Sequence, residues 1–174
     1  RVITCSRQAF DSKCPWPGGE KNHVQVDLSN PNNTLEAIEE VKNRLDGKLH
    51  ALVNNAGISP KGDDGERLDS LGTDLSIWGK VFHVNFFASV ILARGLKEEL
   101  LKAQGAIVNV TSIAGSRVHP FAGAAYATSK AALGALTREM SNDFGPLGVR
   151  VNAIAPGEVK TAILSEGTDK IVAD

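Results

Sequence analysis

The sequence predicts an α/β fold, with a parallel sheet covered by helices on both faces. Three observations predict it. Short apolar, β-rich runs alternate with helix-like segments along the chain, as strand–helix–strand units do. The helix-like segments repeat their apolar residues every 3 or 4 positions. Asn, Gly and Pro follow directly on the apolar strand runs, at the edge where an open parallel sheet binds ligands.

Taken in order, residues 2–5 and 24–26 are short β-rich runs. Leu35, Ile38, Val41 and Leu45 then mark a helix. Asn33 precedes it, Pro31 and Asn32 mark its entry, and Gly47 follows its end. Residues 49–53 are the next strand. Residues 58–74 are polar, with Gly62, Gly65 and Gly72, and read as a surface loop. Ser76 is the expected cap of a long helix that runs to the neighbourhood of Lys102. Between residues 81 and 92 this helix is apolar nearly all round. Such a helix is buried on more than one side, which predicts a subunit interface. Residues 106–111 form an apolar strand. Residues 126–144 form a helix rich in alanine and leucine, closed by Gly145 and Pro146. Residues 149–154 form a last strand, ended by Pro156 and Gly157. No repeat, low-complexity tract or linker divides the chain, so residues 1–174 are expected to form one domain.

Composition narrows the function classes. A net charge of −1 gives no basic footprint for nucleic acid. No uninterrupted apolar stretch reads as long enough to cross a bilayer, so no membrane partner is expected. Two cysteines, Cys5 and Cys14, suit free thiols in a reducing compartment, and a cytoplasmic location is expected. His23, His50, His83 and His119 are scattered without metal-ligand spacing.

Chemistry concentrates at Tyr126-Ala127-Thr128-Ser129-Lys130. Residues four apart on a helix share one face. A free tyrosine, with a pKa of about 10, is a poor base at neutral pH. A lysine cation about 5 Å away, at an effective dielectric of about 20, favours the phenolate by about 3 kcal/mol. That brings the phenol toward working pH. The chain's only tyrosine occupies this position. Such a pair also arises by chance on surface helices, so its company matters. Asn54-Asn55-Ala56-Gly57 follows a buried strand, and small residues there let a nucleotide approach the backbone. Thr111 and Ser112 end another apolar strand, placing a hydroxyl where it can bond a substrate oxygen. Asn85 lies inside an apolar helix, and a buried amide needs partners, so it is structural glue or a water holder. Pro156, Gly157 and Thr161 follow the last strand, again at the ligand edge.

In this combination the sequence resembles the short-chain dehydrogenase/reductases, from Arg1 to about Ile163. The resemblance implies a Rossmann-type doubly wound parallel sheet. It implies an oxidoreductase that moves a hydride between NAD(P)(H) and a small-molecule alcohol or carbonyl. Tyr126 would be the general acid/base. Lys130 would lower its pKa and bond the nicotinamide ribose. Ser112 would orient the substrate oxygen, and Asn85 would hold a water in the proton relay. Asn55, Ala56 and Gly57 would border the adenosine, and Asp27 would contact the adenine. Pro156, Gly157 and Thr161 would meet the nicotinamide end. Relatives commonly form tetramers through the corresponding long helix, so a homotetramer or dimer is expected.

Cofactor preference is read from the end of the first run. NAD usually needs an acidic residue there for the ribose 2′-hydroxyl. Here Cys5-Ser6-Arg7 has none, and Arg7 suits a 2′-phosphate, which favours NADP over NAD. The family's opening strand and glycine-rich pyrophosphate turn would precede Arg1, and its last elements would follow Asp174. The expectation is a domain incomplete at both ends, with a gap in the sheet between the first two strands and the rest. Two other functions fit the fold: a non-catalytic dinucleotide sensor or scaffold, or an inactive fragment of the enzyme. An epimerase or dehydratase of the family's extended branch also uses Tyr-x-x-x-Lys, but Asn54-Asn55-Ala56-Gly57 and Asn85 fit the short-chain branch better. The charges at Lys61, Asp63, Asp64, Glu66 and Arg67 read as a solvated loop face more than as a polar-ligand site. His119 and Phe121 are turn residues around Pro120 or substrate contacts.

Overall fold

The computed structural model describes residues 1–14, 16, 18–159 and 163. Strands β1 (Thr4–Ser6) and β2 (His23–Gln25) pair in parallel. Strands β3 (Ala51–Asn54), β4 (Ala106–Val110) and β5 (Arg150–Ile154) form a second parallel sheet in the order β3-β4-β5. β1 and β3 are not paired with each other, so the gap expected from strand order is present. This is the α/β architecture the alternating pattern predicts.

The helices begin where side chains or proline resolve unpaired N–H groups. α1 (Pro31–Arg44) starts earlier than the periodicity indicated. Asn30 Oδ1 accepts from Asn32 N at 2.9 Å, and Pro31 has no N–H to leave unpaired in the first turn. Ser76 is not the cap of the long helix. Asp74 is, its Oδ1 accepting from Ser76 N at 2.7 Å, so α2 (Leu75–Phe82) begins one residue before Ser76. The helix is also not continuous to Lys102. It passes through one wide π turn at His83–Phe87, continues as α3 (Ala88–Gly95), breaks at Leu96 and resumes as α4 (Lys97–Ala103). α5 (Ala124–Phe144) starts two residues before Tyr126.

α1 packs on α3, while α2, the π turn and β5 pack on α5. Ile38, Val41, Ala88, Ala93, Leu96, Leu100, Ile107, Met140, Val149 and Val151 are buried in the main core. Each Val, Leu, Ile or Met side chain among them contributes about 1.5–3 kcal/mol on burial. A smaller cluster of Ile58, Val81, Val84 and Ala125, flanked by Ile77 and Trp78, lies beneath the residues of the site.

One expectation from composition is corrected. The 21-residue run Leu75–Gly95 is long and apolar enough to cross a bilayer by length and composition. In the fold it packs on α1 and α5, and buries Val81, Val84, Asn85, Ala88, Ser89 and Ala93 within the chain. It is not buried all round, since Phe87 on its outward side is 49% exposed.

Candidate active site

Ser112, the Asn54–Gly57 turn and Pro156–Gly157 follow the carboxyl ends of β4, β3 and β5. β4 delivers Ser112 two residues after its last strand position. There Ser112 caps a single helical turn at Ile113–Gly115, with Oγ accepting from Ala114 N at 3.2 Å. The turn lies against α5 because Gly115 has no side chain. A Cβ there would stand 2.8 Å from Ala131 N and 3.0 Å from the Lys130 carbonyl carbon. This close approach sets Ser112 beside the helix that carries Tyr126, near enough for its hydroxyl to act on the phenol.

Lys130 occupies the buried side of α5, and only 3% of it is exposed. Its Nζ donates to Val110 O at 2.8 Å and stands 5.8 Å from the Tyr126 ring centroid. Desolvation pushes the ammonium down to about 8. The phenol departs from the sequence expectation. Burial raises the Tyr126 pKa above its ordinary value, and the neighbouring Ser112 hydroxyl only works against that rise. The expectation of a lysine-lowered phenol counted the charge pair alone. It left out the cost of placing a phenolate in a desolvated site.

Asn85 sits in the π turn and is 1% exposed. Its Oδ1 accepts from Ile58 N at 2.8 Å. Its Nδ2 donates to Ile58 O and to Ser129 Oγ, both at 3.0 Å. Of the two readings of this amide, structural glue describes its side chain, because both amide hydrogens are committed to protein. Ser129, a residue not singled out from sequence, passes the connection on by donating to Tyr126 O at 2.7 Å. Its helical spacing, on the same face as Tyr126 and the buried Lys130, was the available signal.

Beneath these residues runs a polar chain that sequence reasoning missed. Asn54 Nδ2 donates to Asn109 Oδ1 at 2.9 Å, and Asn109 Nδ2 donates to Thr137 Oγ1 at 2.9 Å. It ties β3, β4 and α5 together, and in-register pairing of Asn54 with Asn109 makes it possible.

The remaining candidates are more peripheral. Asn55 and Ala56 are exposed at the end of β3, and Gly57 is half-buried. A Cβ on Gly57 would stand 3.3 Å from Lys130 Nζ and 3.5 Å from Asn85 Oδ1, so the glycine leaves open space beside the lysine. Pro156 O accepts from Ile113 N at 3.1 Å, which places Pro156 and Gly157 beside Ser112. Asp27 is exposed and accepts from Ser29 N at 2.9 Å. That hydrogen bond holds its carboxyl below the ordinary range, with a smaller contribution from the Arg7 charge. Arg7 and Asp27 therefore share the edge beyond β1 and β2, away from Tyr126. Thr161 lies outside the described residues.

Lys61 corrects the picture of a solvated loop. It is 8% exposed, and its Nζ donates to Phe121 O at 2.7 Å and to Ser59 Oγ at 3.1 Å. Arg67 Nε donates to Ala122 O at 2.8 Å. Both cations fasten the loop at 58–68 to the segment that leads into α5.

The family model described as short chain dehydrogenase matches residues 3–171. The chain belongs to the short-chain dehydrogenase family. Protein FixR of Bradyrhizobium diazoefficiens is 60% identical over 167 residues, covering 95% of this chain and 60% of that protein. NADPH-dependent 1-acyldihydroxyacetone phosphate reductase of Schizosaccharomyces pombe is 35% identical over 144 residues, covering 82% of this chain and 46% of that protein. The chain thus spans less than two thirds of the length of these relatives. A crystal structure of an oxidoreductase of the family from Brucella ovis, in complex with a partially ordered NAD, superposes with a TM-score of 0.90. Its sequence is 65% identical, and the match covers 94% of this chain and 75% of that one.

Proposed function

We propose that this short-chain dehydrogenase is an NAD(P)-dependent oxidoreductase that interconverts a small-molecule alcohol and its carbonyl compound. The observation that carries this reading is the Ser112 hydroxyl next to the Tyr126 phenol, with buried Lys130 Nζ 5.8 Å from the tyrosine ring centroid. A dinucleotide sensor or scaffold needs no general acid, and this grouping supplies one.

The residues present fit a nicotinamide cofactor. Gly57 leaves a space that a Cβ would fill beside Lys130, and Lys130 and Tyr126 offer donors suited to ribose hydroxyls. Lys130 and Tyr126 would hold the nicotinamide ribose. Asn55, Ala56 and Gly57 would border the adenosine, Asp27 the adenine, and Pro156, Gly157 and Thr161 the nicotinamide. When bound, the cofactor supplies the hydride. In reduction Tyr126 Oη gives its proton to the substrate oxygen, and in oxidation it takes that proton back. Ser112 holds the same oxygen by a hydrogen bond. The raised phenol suits the acid role, since Tyr126 stays protonated at neutral pH until an oxygen acceptor is in place. Lys130 remains charged below about 8 and favours the phenolate as the proton leaves. Asn85 and Ser129 fix the backbone of Tyr126, and Asn85 keeps its proposed place near a relay water.

Arg7 supports NADP as the preferred cofactor, because a guanidinium pairs with a 2′-phosphate in bidentate fashion. The outward side of the π turn between α2 and α3, where Phe87 is exposed, supports a homo-oligomer, as a dimer or tetramer. One domain in the cytoplasm completes the reading.

Fluorescence titration with NADPH and NADH, followed by hydride transfer to a panel of small ketones, tests it. NADPH is expected to bind more tightly, and Arg7→Ala to weaken NADPH by about tenfold while sparing NADH. Equal loss of both cofactors would remove Arg7 from the assignment.

A further inference from the structure

β4 and β5 stay joined beyond their last strand residues. Thr111 N donates to Ile154 O at 2.8 Å, and Ile113 N donates to Pro156 O at 3.1 Å. The two segments then diverge. One becomes the loop at 113–123 that leads into α5, and the other continues through Gly157. They meet again farther out, where His119 Nε2 lies 2.9 Å from Glu158 Oε1. His119 Nδ1 accepts from Phe121 N at 3.3 Å. Nδ1 therefore carries the lone pair, and Nε2 carries the hydrogen donated to Glu158. The imidazole is 11% exposed and the carboxylate 58%, so the ring is packed against protein while the carboxylate faces solvent.

The same loop is held from its other side. The Phe121 ring meets the imidazole edge-on at 5.8 Å, Phe121 O accepts from Lys61, and Ala122 O accepts from Arg67. Loop 113–123 is thus pinned at its base by Pro156, along one flank by two cations, and at His119 by Glu158. Ser112 and Tyr126 flank its two ends. A shift of this loop changes the separation of the two hydroxyls that would hold one substrate oxygen, and small misplacements of such groups are costly.

We propose that His119 and Glu158 are positioning residues whose hydrogen bond latches loop 113–123 to the segment after β5, closing the rim of the substrate cleft in front of Tyr126. The cleft in this statement rests on the oxidoreductase reading, whereas the latch is a property of the loop and is measurable without turnover.

The test is amide hydrogen exchange across residues 119–123 in the full chain, its His119→Ala, Glu158→Ala and double variants, and Glu158→Gln. Each single alanine variant is expected to exchange about fivefold faster, with no further gain in the double variant. Glu158→Gln keeps an acceptor oxygen and is expected to exchange like the parent chain. Unchanged exchange in either single variant, or effects that multiply in the double, overturns the latch. Hydride transfer from NADPH to small ketones is read on the same proteins. The latch predicts a higher KM with little change in kcat for both alanine variants, and an unchanged KM overturns its role at the cleft. Coupled exchange with no hydride transfer by the parent chain keeps the latch and overturns the oxidoreductase reading.

Discussion

Asn85 Nδ2 donates to Ser129 Oγ at 3.0 Å, and this bond joins the π turn of one helix to the helix that carries Tyr126. The same amide also satisfies the N–H and the carbonyl of Ile58. Asn85→Leu keeps the volume and removes all three bonds. Each buried group left without a partner costs about 1–3 kcal/mol, so a loss of about 3 kcal/mol or more is expected in urea denaturation. Ser129→Ala removes fewer bonds and is expected to cost about 1 kcal/mol. An Asn85→Leu chain with the parent midpoint would falsify the amide's structural role.

Tyr126→Phe removes the hydroxyl and leaves the ring packed. The fold is expected to be retained, while the rate of hydride transfer drops by roughly 10²–10⁴ because no general acid remains. Steady-state kinetics with the best ketone of the panel checks this. Turnover close to that of the parent chain sinks the assignment of Tyr126.

Lys130 makes stability depend on pH in an unusual direction. Its ammonium titrates at about 8 in the fold, against 10.5 in the ordinary case. Between those values the unfolded chain binds more protons, so Lys130's contribution to stability becomes more favourable as pH rises through that window. Below about 8 the buried charge carries its full penalty, of roughly 3 kcal/mol. Lys130→Met is therefore expected to be more stable than the parent chain at pH 7, with the difference shrinking toward pH 10. Tyr126, whose pKa is raised, contributes in the opposite direction only above its ordinary pKa of 10.0. Urea midpoints of both chains at the two pH values decide the matter, and a constant difference contradicts the buried-charge account.

Gly115→Ala tests the close approach of the Ser112 turn to α5. The new methyl group would lie 2.8 Å from Ala131 N, a backbone atom that cannot swing aside. A loss of about 1–3 kcal/mol is expected. A lower rate is expected with it, as Ser112 moves away from Tyr126. Gly134→Ala is the control, since nothing lies within 4 Å of a Cβ there. Equal behaviour of the two variants rules out the packing argument.

The placement of Ser112 and the Asn54–Gly57 turn at strand ends, and of Tyr126 and Lys130 on one helix, was legible because local spacing carries it. Lys61 was not, because its burial depends on a carbonyl sixty residues away, at Phe121. The same holds for the Asn54–Asn109–Thr137 chain, which needs the β3-β4 register and the face of α5 at once. Element ends were misjudged at α1 and α2 because the periodicity of a helix begins after its cap. Asn30 and Asp74 are polar residues outside the apolar repeat.

By itself the sequence determined the type and order of the main elements and that Tyr126 and Lys130 share one helix face. Helical and strand periods are local, and Tyr126 and Lys130 share a helix face whatever surrounds them. Only the tertiary structure decided the protonation balance. The Tyr126 phenol is raised and the Lys130 ammonium lowered by desolvation, which sums over every segment packed around them. The tertiary structure also decided that Glu158 meets His119, since their contact exists only once two strand ends lie side by side.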